Sequence, residues 1–255
     1  MGALAYFSSM SSNLASPVWA HRRYRLVVYD LDGTLFETIP DLRTAANLAL
    51  EEQSRPTVST EAVRQAIGDG ARVLIERLCP PGTDHEEVEA ILDSFRTHYE
   101  RVCLQQTTLR EGALEFVRRR GTAPWRLQAI LTNKPQTPTD LLAGHHGLRE
   151  WIGRALGGDT EFGRKPDPAG LESLMAWAGA DRETTLVVGD GPADLAVAQA
   201  AGVDAVRLDG GYGLSSELDR FPCAWRAGSF SELEGLWSRV EPGADHDPPF
   251  PSAWH

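Results

Sequence analysis

Asp30 and Asp32 stand two residues apart at the end of the apolar run Leu26-Val27-Val28-Tyr29, and Gly33-Thr34-Leu35 follow at once. A continuous β-branched run of this kind reads as a buried parallel strand. In an extended strand, residues i and i+2 share a face about 6.5 Å apart, at roughly 3.3 Å of rise each. Both carboxylates therefore emerge together at the strand's C-terminal end, where open α/β sheets bind ligands. Two like charges so close need a reason to coexist. A hard cation supplies one, and a division into nucleophile and proton carrier supplies another. A plain strand-ending turn is the bland alternative, since Asp and Gly both favour turns.

Three further stations follow. Thr132-Asn133-Lys134 closes the apolar run Leu127–Leu131. Arg164-Lys165-Pro166-Asp167-Pro168 precedes an amphipathic stretch, and Thr185-Leu186-Val187-Val188 runs into Gly189-Asp190-Gly191-Pro192-Ala193-Asp194. Of 25 basic residues only two are lysines, Lys134 and Lys165, and both lie inside these stations. In so arginine-rich a chain, a retained ammonium suggests a task for a compact point charge.

The elements that must carry these residues alternate. Helices over 111–120, 137–143, 168–178 and 193–201 precede strands over 126–132, near 155–156, over 185–190 and over 204–208 respectively. That alternation implies a Rossmann-like parallel sheet wrapped by helices, an α/β core. The hundred or so residues between the first two stations are too many for a simple crossover. Their apolar spacing is helical, over 41–52, 60–67, 71–78 and 84–102, with Thr83-Asp84-His85-Glu86 fitting a capping box. A small all-α unit is therefore inserted into the α/β core. We expect a disordered leader over 1–24, the core over 25–39 and 108–240, the helical insertion over 40–107, and a disordered tail over 241–255.

The four stations, in this order, resemble the signature motifs of the haloacid dehalogenase-like (HAD) hydrolase superfamily, and the insertion resembles its type-1 helical cap. The resemblance runs from about Arg25 to Trp237. It implies Mg²⁺-dependent phosphate ester hydrolysis through an aspartyl-phosphate. Asp30 is then the nucleophile, and Asp32 is the acid that protonates the leaving oxygen and later the base that activates water. Asp30, Asp190 and, by its backbone carbonyl, Asp32 are the implied metal ligands, with Asp194 behind them or orienting Lys165. Gly33, Thr132, Asn133 and Lys165 are the expected phosphate-binding residues, Lys165 offsetting the charge of Asp30 and of the phosphoryl group. Metal-free dehalogenases of the superfamily carry Tyr where this chain has Asp32, which favours phosphate chemistry. Gly191 departs from the small hydroxyl residue usual at its position.

The segments Ile39–Leu42, Ala66–Arg77, Thr132–Pro135 and Gly157–Asp159 resemble the phosphoglycolate phosphatase-like branch. Gly68, Asp69, Gly70 and Arg72 are the expected substrate-reading residues, with Gly68-Asp69-Gly70 as a loop folding over the site. A carboxylate-bearing substrate such as 2-phosphoglycolate needs a cation, and Arg43, Arg64, Arg72 and Arg77 are the candidates within the insertion. Phosphatases for sugars, nucleotides or pyrophosphate, a hexose-phosphate mutase, and a non-catalytic binding module are the alternatives. The absence of a lysine within the insertion weakens a phosphonoacetaldehyde hydrolase reading, because Schiff-base chemistry needs an amine there.

Composition bounds the rest. A net charge of −11 argues against nucleic-acid or anionic-membrane partners, which need a basic face. Any anionic small phosphorylated metabolite must be captured by local cations. The three cysteines, Cys79, Cys103 and Cys223, have no metal-ligand spacing and fit reduced thiols in a cytoplasmic protein. No stretch approaches the roughly 20 apolar residues of a membrane span.

Overall fold

The structure, a computed structural model, describes residues 24–123 and 125–240. The leader expected over 1–24, apart from Tyr24, and the tail expected over 241–255 lie outside the described residues. Strand β1 (Leu26–Tyr29) sits inside a six-stranded parallel sheet with β4 (Leu127–Leu131), β5 (Arg154–Leu156), β6 (Thr185–Gly189), β7 (Asp204–Leu208) and β8 (Trp225–Ala227). The strand order is β5-β4-β1-β6-β7-β8. In register, Tyr29 lies opposite Ile130 of β4 and Val188 of β6. The C-terminal ends of these three strands are therefore level, and β1 marks the point where the winding changes direction, the usual ligand crevice of such sheets.

All of β1 is buried because alternate residues enter different cores. Val27 and Tyr29 join a cluster with Phe116 and Val117 of α5 (Ala113–Gly121), Leu142 of α6 (Gln136–His145), and Phe230 and Trp237 of α10 (Phe230–Val240). Leu26 and Val28 meet Leu171 and Leu174 of α7 (Ala169–Ala178) and Leu195 and Ala198 of α8 (Pro192–Ala201) on the other face. Truncating a ring as deeply buried as Phe116 or Trp237 to Ala would cost about 3–5 kcal/mol.

Between β2 (Phe36–Glu37) and β3 (Thr108–Leu109) the chain makes four helices, α1 (Ile39–Glu52), α2 (Thr60–Ala66), α3 (Ala71–Leu78) and α4 (His85–Val102). They enclose a hydrophobic cluster of their own. Ala45, Ala46 and Ala49 form a small-residue stripe on α1, which packs chiefly along α4, where Ile91, Leu92 and Phe95 are buried. The cap of α4 differs from the expected box by one residue: the Glu87 N–H donates to the Asp84 carboxylate at 2.8 Å. The Thr83 hydroxyl instead donates to the Pro80 carbonyl at 2.7 Å.

Outgoing and returning chain meet at a neck. β2 and β3 pair antiparallel, Phe36 opposite Leu109. One turn into the insertion, the fully buried Asp41 carboxylate accepts bonds from the Gln106 N–H at 3.0 Å and the Thr107 N–H at 2.8 Å. Beyond Leu208 lie the one-turn α9 (Ser215–Leu218), the edge strand β8 and α10, whose Phe230, Leu233 and Trp237 recur at helical spacing and are buried. No helix among the described residues is long and apolar enough to cross a membrane.

Candidate active site

Asp30 follows directly on β1, and its N–H donates to the Val188 carbonyl of β6 at 2.9 Å. Asp190 follows β6 in the same way, one strand over. Asp194 lies in the first turn of α8, and its carboxylate folds back to accept from the Gly191 N–H at 2.9 Å. Oxygens of Asp30, Asp190 and Asp194 all lie within 4.8 Å of one another. Into this acidic cluster Lys165, arriving from the loop before α7, donates to Asp30 at 2.6 Å and to Asp194 at 2.5 Å.

The electrostatics follow from burying three carboxylates against one ammonium. Burial and then the charge of Asp194 push the Asp30 carboxyl up to about 8, against the pull of Lys165. Burial and Asp194 likewise raise Asp190 to about 6, against bonds from Thr34 and Tyr212. Burial works against the Lys165 charge, but Asp194 and Asp30 more than reverse it and hold the ammonium above the ordinary lysine range. The cluster is thus short of positive charge. Its donors are all hard oxygens, the set that suits a divalent cation such as Mg²⁺. Asp190 is held from two sides, by the Thr34 hydroxyl at 2.5 Å and the Tyr212 N–H at 2.7 Å. Each carboxylate oxygen has a second lone pair, so these bonds leave acceptor capacity for an ion. Gly33, at φ +87° in the left-handed region, and Gly211 both press on this carboxylate, where a Cβ would collide with it.

The Asp32 side chain is not part of the acidic cluster. It turns to Lys134, whose ammonium donates to its two oxygens at 2.8 and 3.1 Å. Thr132 and Asn133 end β4 beside Asp30, both buried. Thr132 lines the cavity, and its hydroxyl oxygen accepts from the Lys134 N–H at 3.3 Å. The Asn133 side chain is committed elsewhere than to a phosphate. Its amide donates to the carbonyls of Gly68, at 3.0 Å, and Lys165, at 3.2 Å, while its oxygen accepts from the Lys165 N–H at 2.8 Å.

A cavity of about 190 Å³ joins this centre to the insertion, with Asp30, Asp32 and Lys134 on one wall and Gly68, Arg72 and Tyr99 on the other. The Gly68-Asp69-Gly70 loop is seated on the core: besides the Asn133–Gly68 bond, Arg164 donates to the Asp69 carbonyl at 3.2 Å. The arginines expected to read a substrate carboxylate are largely engaged. Arg72 makes a two-pronged pair with Glu89, Arg77 pairs with Asp69 at 2.5 Å, and Arg64 lies over the Tyr212 ring. Arg43 is exposed and does not line the cavity.

The sequence pattern of the family described as haloacid dehalogenase-like hydrolase matches residues 27–208. The chain is a HAD hydrolase. Relatives bear on which kind. This HAD hydrolase is 38% identical over 209 residues to phosphoglycolate phosphatase 1 of Pseudomonas aeruginosa, spanning 78% of this chain and 74% of that one. It is 35% identical over 204 residues to the phosphoglycolate phosphatase of Pseudomonas putida, spanning 76% and 73%. A crystal structure of a predicted phosphoglycolate phosphatase from Haemophilus somnus superposes with a TM-score of 0.77 at 26% identity, covering 84% of this chain and 98% of that one.

Some residues of the site carried no usable sequence signal. Thr34 read only as part of a turn, and Tyr212 and Arg110 stood in no motif. Arg110 donates to the Gly33 and Asp209 carbonyls, bracing the loops on either side of Asp190.

Proposed function

We propose that this HAD hydrolase is a phosphatase for a small phosphorylated metabolite, with 2-phosphoglycolate as its substrate. The convergence of Asp30, Asp190 and Asp194 at the crevice of the sheet, with Lys165 bonded to Asp30 and Asp194, carries the reading. The similarity to two phosphoglycolate phosphatases narrows the substrate.

Phosphoryl transfer demands a nucleophile in line, neutralisation of the phosphoryl oxygens, and a proton for the leaving group. Asp30 is the nucleophile, its carboxylate oxygen facing the cavity. Asp32, two residues on, gives the proton to the leaving oxygen and then takes one from the water that cleaves the aspartyl-phosphate. Mg²⁺ held by Asp30, Asp190 and the Asp32 backbone carbonyl would offset the negative charge shared by carboxylate and phosphate. Lys165 adds its charge beside Asp30, and Asp194 keeps it aimed there. Thr132 and the backbone at Asn133 hold phosphoryl oxygens; Gly33, expected to join them, has its N–H taken by the Phe36 carbonyl at 2.8 Å and its carbonyl by Arg110, and it does not line the cavity. Asn133 also ties the Lys165 loop to Gly68, so the loop of the insertion and the lysine are set by one side chain. The insertion acts as a cap that shapes the space around the leaving group. The free state of Cys79, Cys103 and Cys223 suits a cytoplasmic setting.

Hydrolysis of p-nitrophenyl phosphate with and without Mg²⁺ tests the class. A panel of phosphorylated metabolites ranked by kcat/KM tests the substrate, and 2-phosphoglycolate in the middle of that ranking would refute it.

A further inference from the structure

The cation that reads the substrate's second charge was expected within the insertion, yet the best-placed one belongs to the core. Lys134 is 5% exposed, lines the cavity, and touches both oxygens of Asp32. Its ammonium stands 4.5 Å from the centre of the Tyr99 ring. An ammonium has three donors, and two face Asp32. Tyr99, on α4, is 3% exposed and also lines the cavity, and its hydroxyl is buried without a hydrogen-bond partner. Burial, with Asp32 the first of the charges acting on it, keeps that phenol protonated and thus able to donate. A buried donor without an acceptor costs about 1–3 kcal/mol unless something fills its place.

We propose that Lys134 and Tyr99 form the subsite for a carboxylate on the leaving group, so that the pair determines specificity for short phosphooxy-carboxylates over phosphate monoesters whose leaving group is uncharged. The inference rests on the phosphatase reading above and adds the residues that choose the substrate. The geometry is set by Asp32. A general acid must lie within hydrogen-bonding reach of the leaving oxygen. In a 2-phosphooxy acid the carboxylate carbon is only two bonds beyond that oxygen. Its cation must therefore adjoin Asp32, and Lys134, at 2.8 Å, does. Arg72 and Arg77 already have carboxylate partners. Arg164 sits exposed on the rim, bonded to the Gly158 and Asp69 carbonyls.

The test compares kcat/KM for 2-phosphoglycolate and for 2-hydroxyethyl phosphate, its counterpart without the carboxylate charge, in the wild type, Lys134→Met, Tyr99→Phe and Arg164→Met. The wild type is expected to prefer 2-phosphoglycolate by on the order of 10- to 100-fold, the range for charge-assisted bonds. Lys134→Met should erase most of that preference, chiefly through KM for 2-phosphoglycolate. Tyr99→Phe should reduce it by roughly 3- to 10-fold, the range for a neutral hydrogen bond. Lys134→Arg should restore part of it. A loss common to both substrates reports on Asp32 and not on the subsite, so the ratio is the readout. The subsite is overturned if the ratio survives in Lys134→Met, or if it collapses only in Arg164→Met. It is also overturned if the wild type cleaves p-nitrophenyl phosphate yet shows no preference, in which case the phosphatase reading still stands. A wild type inert toward p-nitrophenyl phosphate refutes that reading and the subsite with it.

Discussion

Replacing Asp30 by Asn sets activity against stability, and both directions can be worked out. The carboxyl is pushed up to about 8 by burial and Asp194, against an ordinary value of 3.8. Between those two values the unfolded chain has released a proton that the folded chain keeps. The group therefore makes the metal-free fold less stable as pH rises from about 4 to about 8. At pH 7 the penalty is on the order of 4 kcal/mol, at 1.36 kcal/mol per pH unit. Asn keeps the shape and cannot ionise, and Lys165 stays paired with Asp194. The pull of Lys165 is already contained in that raised value, so what Asn forfeits is only the difference between a carboxyl and an amide as hydrogen-bond partner of the ammonium, leaving a gain of about 1–3 kcal/mol. At about 2–4 °C per kcal/mol for a chain of this size, Tm should rise by roughly 3–10 °C at pH 8 in EDTA, and by almost nothing near pH 4. Calorimetric melts at pH 4, 6 and 8, with EDTA or Mg²⁺, read this directly. Mg²⁺ should stabilise the wild type increasingly as pH rises, because cation and proton compete for the same oxygens. It should stabilise Asp30→Asn far less, and that variant should not turn over p-nitrophenyl phosphate. A variant that melts below the wild type at pH 8 without metal would refute the reasoning, because the Lys165 pair would then outweigh the crowding of carboxylates.

Three other substitutions probe separate parts of the architecture. Asp41→Asn places an NH₂ among the backbone donors of Gln106 and Thr107; we expect a loss of about 2–4 kcal/mol and a fall in Tm of roughly 5–12 °C by circular dichroism. Lys165→Met should lower kcat on p-nitrophenyl phosphate by about 10²–10³-fold while the far-ultraviolet spectrum stays native. Asn133→Ala frees both the Lys165 loop and Gly68, and should lower kcat/KM by about 10–100-fold, visible as a kcat loss even at saturating substrate.

The parts of the fold that were legible from sequence are those dictated by local periodicity. β7 falls on the expected 204–208, and α3 on the expected 71–78, because burial of one stripe or both strand faces imposes an unmistakable spacing. Short elements held by long-range contacts were not legible. β2 and β3 are two residues each and exist only through their mutual pairing and the Asp41 bonds. β8 is a three-residue edge strand whose neighbour, not its composition, defines it. The same distinction runs through the site. Asp30, Asp190 and Lys165 stand in dense motifs. The commitment of the Asn133 amide to Gly68 and Lys165, and the pairing of Lys134 with Asp32, depend on how separate strand ends face one another. A lysine rare in composition signalled importance, but only packing reveals its partner.

Because the chain leaves β1 through Phe36–Glu37 and comes back beside itself at Thr108–Leu109, the sixty-odd residues from α1 to α4 hang from the sheet as a pendant. Their length and sequence are free of the strand order, which is closed by β1, β4 and β6 alone around the reacting groups. Evolution, or a designer, can thus graft a different pendant onto the same stalk and redirect the chemistry toward new leaving groups without rebuilding the machinery that breaks the bond.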